Sequence, residues 1–398
     1  MSTEAVPARP RRMTAVMREE ETVTPLELFF DLVFVLALTQ CTALMAAQPT
    51  WEGLAKGLLV LGVVWWSWVG YAWLTSVVDP EEGDVRLVIF AAMAAFLVVS
   101  LCVPGAFDDS AFVFALAYAV VRLAHIALFV LASRDDPLFR RSVIGLGIST
   151  AISVGLLLAA SGADGAVQGA LWVVAIAIDT IGPFLFGADG WKLRPHHFAE
   201  RHGLIIIIAL GESIVAIGVG LTGAVDLGVV TAAVLGTVVA AGLWWLYFDV
   251  VALVSEQRLS EAEPGREQNE MARDSWSYLH FPMVAGIVLV ALGMKKTLGD
   301  VEEPLKLVPT FALLGGTALY LLAHVAFRLR NVHTLNRRRL GLAIALLAAV
   351  PLVYELKLPA LATVAILAAA LAALIVYETR LYGEGRAKVR SEQRHGHE

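Results

Sequence analysis

Residues 87–107 pass without one charged side chain, and stretches of the same kind recur along the whole chain. A helix that crosses a bilayer needs about 20 mostly apolar residues. Of the 398 residues, 58% are hydrophobic and 17% charged, where an ordinary soluble domain carries about 25% charged. This is apolar material for about ten to twelve spans. The fold class that follows is all-α, a polytopic membrane helix bundle.

The same composition excludes several functions. The net charge of −6 belongs to loops and tails, and no basic stripe interleaved with aromatics points to nucleic acid. Cys41 and Cys102 both lie in apolar runs; two isolated cysteines make neither a disulfide framework nor a zinc spacing. Residues 1–24 are charged and lack the apolar centre of a secretory signal, so the first span is expected to direct insertion itself.

Reading apolar runs between charged or Pro/Gly-rich breaks gives twelve spans, near 26–47, 53–78, 85–103, 110–132, 142–160, 166–187, 198–222, 226–254, 274–294, 306–327, 340–356 and 358–378. Between the last two, Glu355-Leu356-Lys357 leaves almost no loop. Cytoplasmic loops of membrane proteins are enriched in Lys and Arg. Of the 30 lysines and arginines here, 24 fall on the side of the N-terminus and 5 on the other, with Arg122 inside a span. This alternation predicts both termini in the cytoplasm, with tails at 1–24 and 381–398.

The two halves match in order. Glu27 opens span 1 and Glu200 opens span 7; Trp65-Trp66 in span 2 corresponds to Trp244-Trp245 in span 8. Leu123-Ala124-His125 in span 4 corresponds to Leu322-Ala323-His324 in span 10, and Arg140-Arg141 to Arg338-Arg339 at the start of spans 5 and 11. Two tandem six-helix repeats, 25–187 and 188–380, are therefore expected. Units of six spans enter the membrane in the same direction, which relates them by a pseudo-twofold along its normal. Such an axis sets spans 1 and 7 opposite each other, either lining a central pathway or simply closing a stable bundle.

Charged side chains inside spans are expensive, at about 2.5–3.5 kcal/mol each near mid-helix, and so mark the candidate site. Glu27 and Asp31, four residues apart, share one helix face; Glu27 also suits a first turn, where the helix dipole favours an acid. Glu212 lies about 18 Å along its helix from Glu200, near the bilayer centre, with Ser213 beside it. Arg122 reads as a charge partner for Glu212, Asp31 or Asp179. The alternative is that these acids form a cation or proton site. Asp179 and Asp249 are further intramembrane acids. His125 and His324 occupy matching positions, with His280 a third histidine, and each suits either helix packing or proton transfer near neutral pH.

Other features have structural readings. Gly228, Ala232, Gly236 and Ala240, like Gly145, Ser149 and Ser153, form small-residue ridges that let helices approach closely. The Trp65-Trp66-Ser67-Trp68 cluster either packs in the bundle or lines a cavity, and the charged stretch 255–273 reads as a solvated linker. No HExxH or GxSxG motif marks a hydrolase, no lysine sits in mid-span, and no soluble domain is present to bind nucleotide. The chain is read as no enzyme, with no cofactor and no bound metal.

Two segments carry a family resemblance. Thr24-Pro25-Leu26-Glu27-Leu28-Phe29-Phe30-Asp31-Leu32-Val33-Phe34-Val35 resembles the opening signature of the bacterial low-temperature-requirement A (LtrA) family. Glu200-Arg201-His202-Gly203-Leu204, followed by Ile208-Ala209-Leu210-Gly211-Glu212-Ser213-Ile214, is similar to its second signature. The resemblance implies a multi-spanning bacterial membrane protein needed for growth in the cold. The opening segment is also reminiscent of potassium channels whose first helix carries Phe-Ser-Asp, but Phe30 replaces the serine, and Leu204 stands opposite Asp31 in the second copy. The expected function is a transporter or channel-like pathway for a small ion, proton or solute between the halves. The alternative is a non-transporting factor that assists cold adaptation through lipid or partner contacts.

Overall fold

The structure, a computed structural model, describes residues 17–18, 22–81, 83–186, 188–221, 223 and 225–396, with only the backbone described for 382–396. The first 16 residues of the expected N-terminal tail therefore lie outside the described residues. The described chain is helical almost throughout: α1 Pro25–Ala47, α2 Trp51–Thr75, α3 Val85–Cys102, α4 Ala111–Ala132, α5 Pro137–Ala160, α6 Gly165–Leu185 and α7 Pro195–Gly220. It continues as α8 Leu227–Phe248, α9 Val251–Glu261, α10 Arg266–Met271, α11 His280–Gly299, α12 Leu307–Val332, α13 Arg337–Glu355 and α14 Ala360–Gly396. A π-helical stretch, Ala272–Tyr278, joins α10 to α11.

Local chemistry explains where these helices start. Thr24 caps α1, Pro25 takes the first helical position, and Glu27 completes a capping box by accepting the Thr24 N–H at 2.9 Å. The threonine hydroxyl and the glutamate thereby satisfy two amides that a helix start otherwise leaves open. Thr50, Asp136 and Asp226 cap α2, α5 and α8 in the same way, each accepting a backbone N–H three residues on.

Eleven helical stretches among the described residues are long and apolar enough to cross a membrane. The twelfth long helix, α13, spans 19 residues and opens on Arg337-Arg338-Arg339. It nevertheless runs the full depth of the bundle. The start of α14 is hydrogen-bonded to the loop between α11 and α12 through Ala360 N–H to Glu303 O, at the far face. At the near face, where α1 begins, Asn336 and Arg339 meet Glu378 of the same α14. The chain is thus a polytopic helical membrane protein. Its outer surface is apolar too, with Leu32, Leu101, Phe112, Leu123 and Ile181 exposed, as lipid contact requires.

Packing centres on α11 and α12, the most deeply buried spans. They cross so closely that a Cβ on Gly286 would lie 2.6 Å from Gly316 O, and one on Gly293 would lie 2.6 Å from the Leu313 Cβ. Around them α1 packs on α2 and α3, as α7 packs on α8 and α11. Helix α3 packs on α4 as α11 does on α12, α4 on α5 as α12 on α13, and α2 on α6 as α8 on α14. Helix α1 meets α7 and α11 across the middle.

One expectation is corrected. Residues 255–273 are not a solvated linker: they form α9, α10 and the start of the π-stretch, with Ser255, Leu259 and Asn269 buried. Asn269 docks the segment by donating to Ala188 O and Trp191 O, at 3.0 and 2.8 Å. Helix α14 continues without a break to Gly396, through residues of the expected C-terminal tail.

Candidate functional site

The expected meeting of spans 1 and 7 is present, and it is made by charge. Arg201, six residues into α7 and 1% exposed, reaches α1 with both terminal nitrogens. Its Nη1 donates to Glu27 Oε1 at 3.0 Å and to the Thr75 hydroxyl at 3.1 Å. Its Nη2 donates to Asp31 Oδ1 at 2.7 Å, where the Trp68 indole N–H also donates at 2.9 Å. His197, one turn earlier on α7, bridges Glu27 Oε1 at 2.8 Å and the Ser76 hydroxyl at 3.0 Å. Arg18, from the segment before α1, closes the other side of Glu27 at 3.1 Å and donates to Thr75 O at 2.9 Å.

Glu27 and Asp31 are thus balanced by Arg18 and Arg201 in a junction closed to water. A buried charge is tolerated only when paired and hydrogen-bonded, and here two acids on one face of α1 meet two guanidinium groups. Asp31 Oδ2 and Arg201 Nε are left without a hydrogen-bond partner. Glu27 fills its helix-capping role and its ion-pair role at once.

Glu200 was expected as the counterpart of Glu27 but lies outside this junction. It is half-buried and accepts the Val23 N–H at 2.9 Å, holding the chain just before α1. Arg201 falls at the start of the expected span 7 and was counted with the loop cations, which left Arg122 as the only arginine in mid-span; the structure adds Arg201 and Arg339 as buried helical arginines. The signal for Arg201 was Pro195, a residue favoured at the first helical position, which starts α7 three residues before the expected boundary.

Arg122 pairs with Asp179, not with Glu212 or Asp31. Its Nη2 lies 3.1 Å from Asp179 Oδ1 and 2.7 Å from the Thr150 hydroxyl, and its Nη1 donates to Trp66 O at 3.0 Å. The Tyr118 hydroxyl donates to the other Asp179 oxygen at 3.2 Å. This pair and His125 line a cavity of about 80 Å³ between α2, α4, α5, α6 and the π-stretch.

Glu212 stands apart from both clusters. It is 1% exposed, deep in α7, and it accepts the Thr39 hydroxyl of α1 in a short hydrogen bond. Among the described residues no cation lies within ion-pair range of it; Lys295 of α11 acts on it only through space, and it acts in turn on Cys41. The Thr39 hydroxyl is also 3.1 Å from Val35 O. A hydroxyl has one proton to donate. With Glu212 ionised, Thr39 donates to it; with Glu212 protonated, the acid donates to Thr39, which turns its own proton to Val35. Both protonation states are accommodated without moving a heavy atom. Ser213 is occupied locally, donating to Leu210 O at 2.6 Å.

The remaining candidates have structural surroundings. Asp249 is not inside a helix but at the C-cap of α8. His324 faces Arg339 at 3.2 Å, between the rings of Tyr247 and Tyr320. Arg339 in turn grips Glu378 through Nε at 3.2 Å and Nη2 at 2.9 Å, a forked ion pair that the sequence reading missed. His280 lies between the Tyr247 hydroxyl at 2.8 Å and Ser275 O at 3.1 Å. Among the described residues no group of three His, Cys, Asp or Glu side chains is gathered to hold a metal ion.

This arrangement of capped acids and buried arginines sits on the segments that carry the family signatures. Uncharacterized protein RA0937 of Rhizobium meliloti (strain 1021) is 30% identical over 311 residues, covering 74% of each chain. No solved structure matches. The family model described as bacterial low temperature requirement A protein (LtrA) matches residues 22–376, which takes in both signatures and nearly every helix, and the chain belongs to this family.

Proposed function

We propose that the protein is a secondary transporter of the bacterial inner membrane, moving a small ion or solute between two six-helix halves, 25–187 and 188–380. The observation that carries this reading is Glu212. A buried acid whose described partners are hydroxyls, those of Thr39 and Thr42, in the seam between the first helix of each half, is a place where a proton or small cation is taken up and released. The matching packing of α1–α6 and of α7, α8 and α11–α14 supports a duplication with α1 and α7 facing each other, the parallel-repeat geometry of known transporters.

In this reading the near face is cytoplasmic, as the Lys and Arg count predicts. The Glu27–Asp31–Arg201 junction holds that side of the seam shut, and protonation of Glu212 sets the balance between closed and open states. Two buried ion pairs must separate for the near side to part, whereas at Glu212 the described contacts across the seam come from the hydroxyls of Thr39 and Thr42.

The test is flux into proteoliposomes under imposed proton and cation gradients, comparing wild type with Glu212→Gln and Asp31→Asn. Wild type is expected to show gradient-driven flux that varies with pH. Glu212→Gln is expected to lose the pH dependence while eluting as a folded protein. Equal flux in Glu212→Gln and wild type would overturn the role of the acid. The close packing of α1 on α7 around Glu212 favours a second reading, a non-transporting factor in cold adaptation, and absence of flux under every gradient decides for it.

A further inference from the structure

We propose that the cavity beside Arg122 is a binding site for a small uncharged molecule that carries an amide-like head on an apolar, preferably aromatic, body. The site is separate from the α1–α7 seam, and the proposal holds whether or not the protein transports anything.

The position of the cavity defines how it is reached. Ala188, Trp191 and Asn269 line its near-face end, in the segments between α6 and α7 and before the π-stretch. Arg122 lines its deep end, about 15 Å along α4 from that helix's near-face terminus. The walls between are aromatic, formed by Trp66, Trp73, Phe129, Phe186 and Tyr278. Its volume of about 80 Å³ holds several waters or a head of a few non-hydrogen atoms, with the body of the ligand lying along the rings towards the mouth. Ligand sites are typically of this kind, apolar with a few convergent polar groups.

The unsatisfied groups define the head. Arg122 and His125 are both almost fully buried. Arg122 Nε and both ring nitrogens of His125 make no hydrogen bond of normal geometry, although the imidazole lies against Gly70. A buried polar group without a partner is unusual and calls for an occupant. The two nitrogens of a neutral imidazole, one donor and one acceptor, face away from each other, so a small head reaches only one of them. With the His125 N–H turned towards the Gly70 backbone, the site offers the Arg122 N–H as a donor and the other His125 nitrogen as an acceptor, and the carbonyl oxygen and N–H of a primary amide fill the two together.

The charges define what is excluded. At the deep end Asp179 already neutralises Arg122 at 3.1 Å, while near the mouth Asp274 is shared between Arg273 at 2.8 Å and Arg330 at 3.1 Å. Arg273 also lies over the Phe184 ring, 4.1 Å from its centroid. A carboxylate or an ammonium seated at the deep end would find no free counter-charge among the described residues, and burial of an unpaired charge is strongly disfavoured.

The experiment is equilibrium dialysis of radiolabelled benzamide against the full chain in detergent micelles, with empty micelles as background. Saturable binding near one molecule per chain is expected. Unlabelled benzamide should displace it, with benzoate, benzylamine and ethylbenzene each at least about tenfold weaker. His125→Phe should weaken binding about tenfold, the equivalent of one lost hydrogen bond. Leu146→Trp, which fills the cavity from the α5 wall without removing a polar group, should abolish it. If His125→Phe fails to elute as a folded protein, Leu146→Trp decides alone. No saturable binding, displacement by benzoate or benzylamine as effective as by benzamide, or unchanged binding in the folded variants would each overturn the proposal.

Discussion

Arg201 Nη2 lies 2.7 Å from Asp31 Oδ1, joining α7 to α1 in the interior of the bundle. The same guanidinium also holds Glu27 at 3.0 Å, so one residue neutralises two acids of the opposing helix. Its removal would leave Arg18 as the only guanidinium, among the described residues, beside two buried carboxylates.

Arg201→Met is accordingly expected to lose about 3–5 kcal/mol of stability, the usual result of breaking a buried ion pair from one side. Adding Asp31→Asn to Arg201→Met should restore part of that loss, because one uncompensated charge is then removed. Chemical unfolding of the detergent-solubilised variants measures both effects. A loss in Arg201→Met below about 1 kcal/mol, the size of an exposed pair, would contradict this account of the junction.

Asp179 and Glu212 should respond differently to the removal of a nearby charge, because only Asp179 has an ion-pair partner among the described residues. Arg122→Met strands Asp179 and should lose about 3–5 kcal/mol. Glu212→Gln keeps an oxygen that accepts from Thr39, and should stay within about 1 kcal/mol of wild type. Thermal unfolding of the two variants side by side tests the difference. Similar large losses in both would mean that Glu212 has a cationic partner.

These contrasts show what the sequence makes visible. Twelve long helices are legible because bilayer thickness imposes a length of apolar chain, and α13 is legible despite its three arginines because the alternation of charge requires a crossing there. Arg201 was hidden by the same alternation: a count of Lys and Arg treats every cation near a helix start as solvent-facing, and the fold turns this one inward onto α1. Thr39 was hidden because a threonine in an apolar run carries no charge to notice. Its partner, Glu212, was visible for the opposite reason. The 255–273 segment misled because its many charges conceal Leu259 and Asn269, which are the residues that dock it.

The crossing of α11 and α12 should tolerate no side chain at Gly286. A Cβ there would lie 2.6 Å from the backbone oxygen of Gly316, and backbone cannot rotate away as a side chain does. Gly286→Ala is expected to destabilise by about 1–3 kcal/mol, the range for overpacking, even though alanine is the better helix former. Gly341, which has nothing within 4 Å of its added Cβ, is the control: Gly341→Ala should be neutral or stabilising. Unfolding midpoints for the pair decide the point, and a neutral Gly286→Ala would mean that the helices pass further apart.

Asp136 offers a test that depends on pH. It caps α5 by accepting the Phe139 N–H at 3.1 Å and sits 3.2 Å from Lys192 Nζ. The backbone bond first, and then the lysine, hold its carboxyl below the usual aspartate value. An acid whose pKa is lower in the folded state stabilises that state fully above its unfolded value of about 3.9. The contribution disappears as pH falls through the lower folded value. Asp136→Ala should therefore lose about 1 kcal/mol at pH 7, the usual effect of removing an N-cap, and the loss should stay constant down to about pH 5. Below about pH 4 the wild type and variant should converge as the carboxyl protonates. Lys192→Ala should change stability by less than about 0.5 kcal/mol, since its side chain is half-exposed and exposed pairs contribute little. Unfolding midpoints of the three proteins between pH 3 and 8 measure the effect, and a gap between wild type and Asp136→Ala that persists unchanged at pH 3 would show that the cap does not act through its ionised carboxylate.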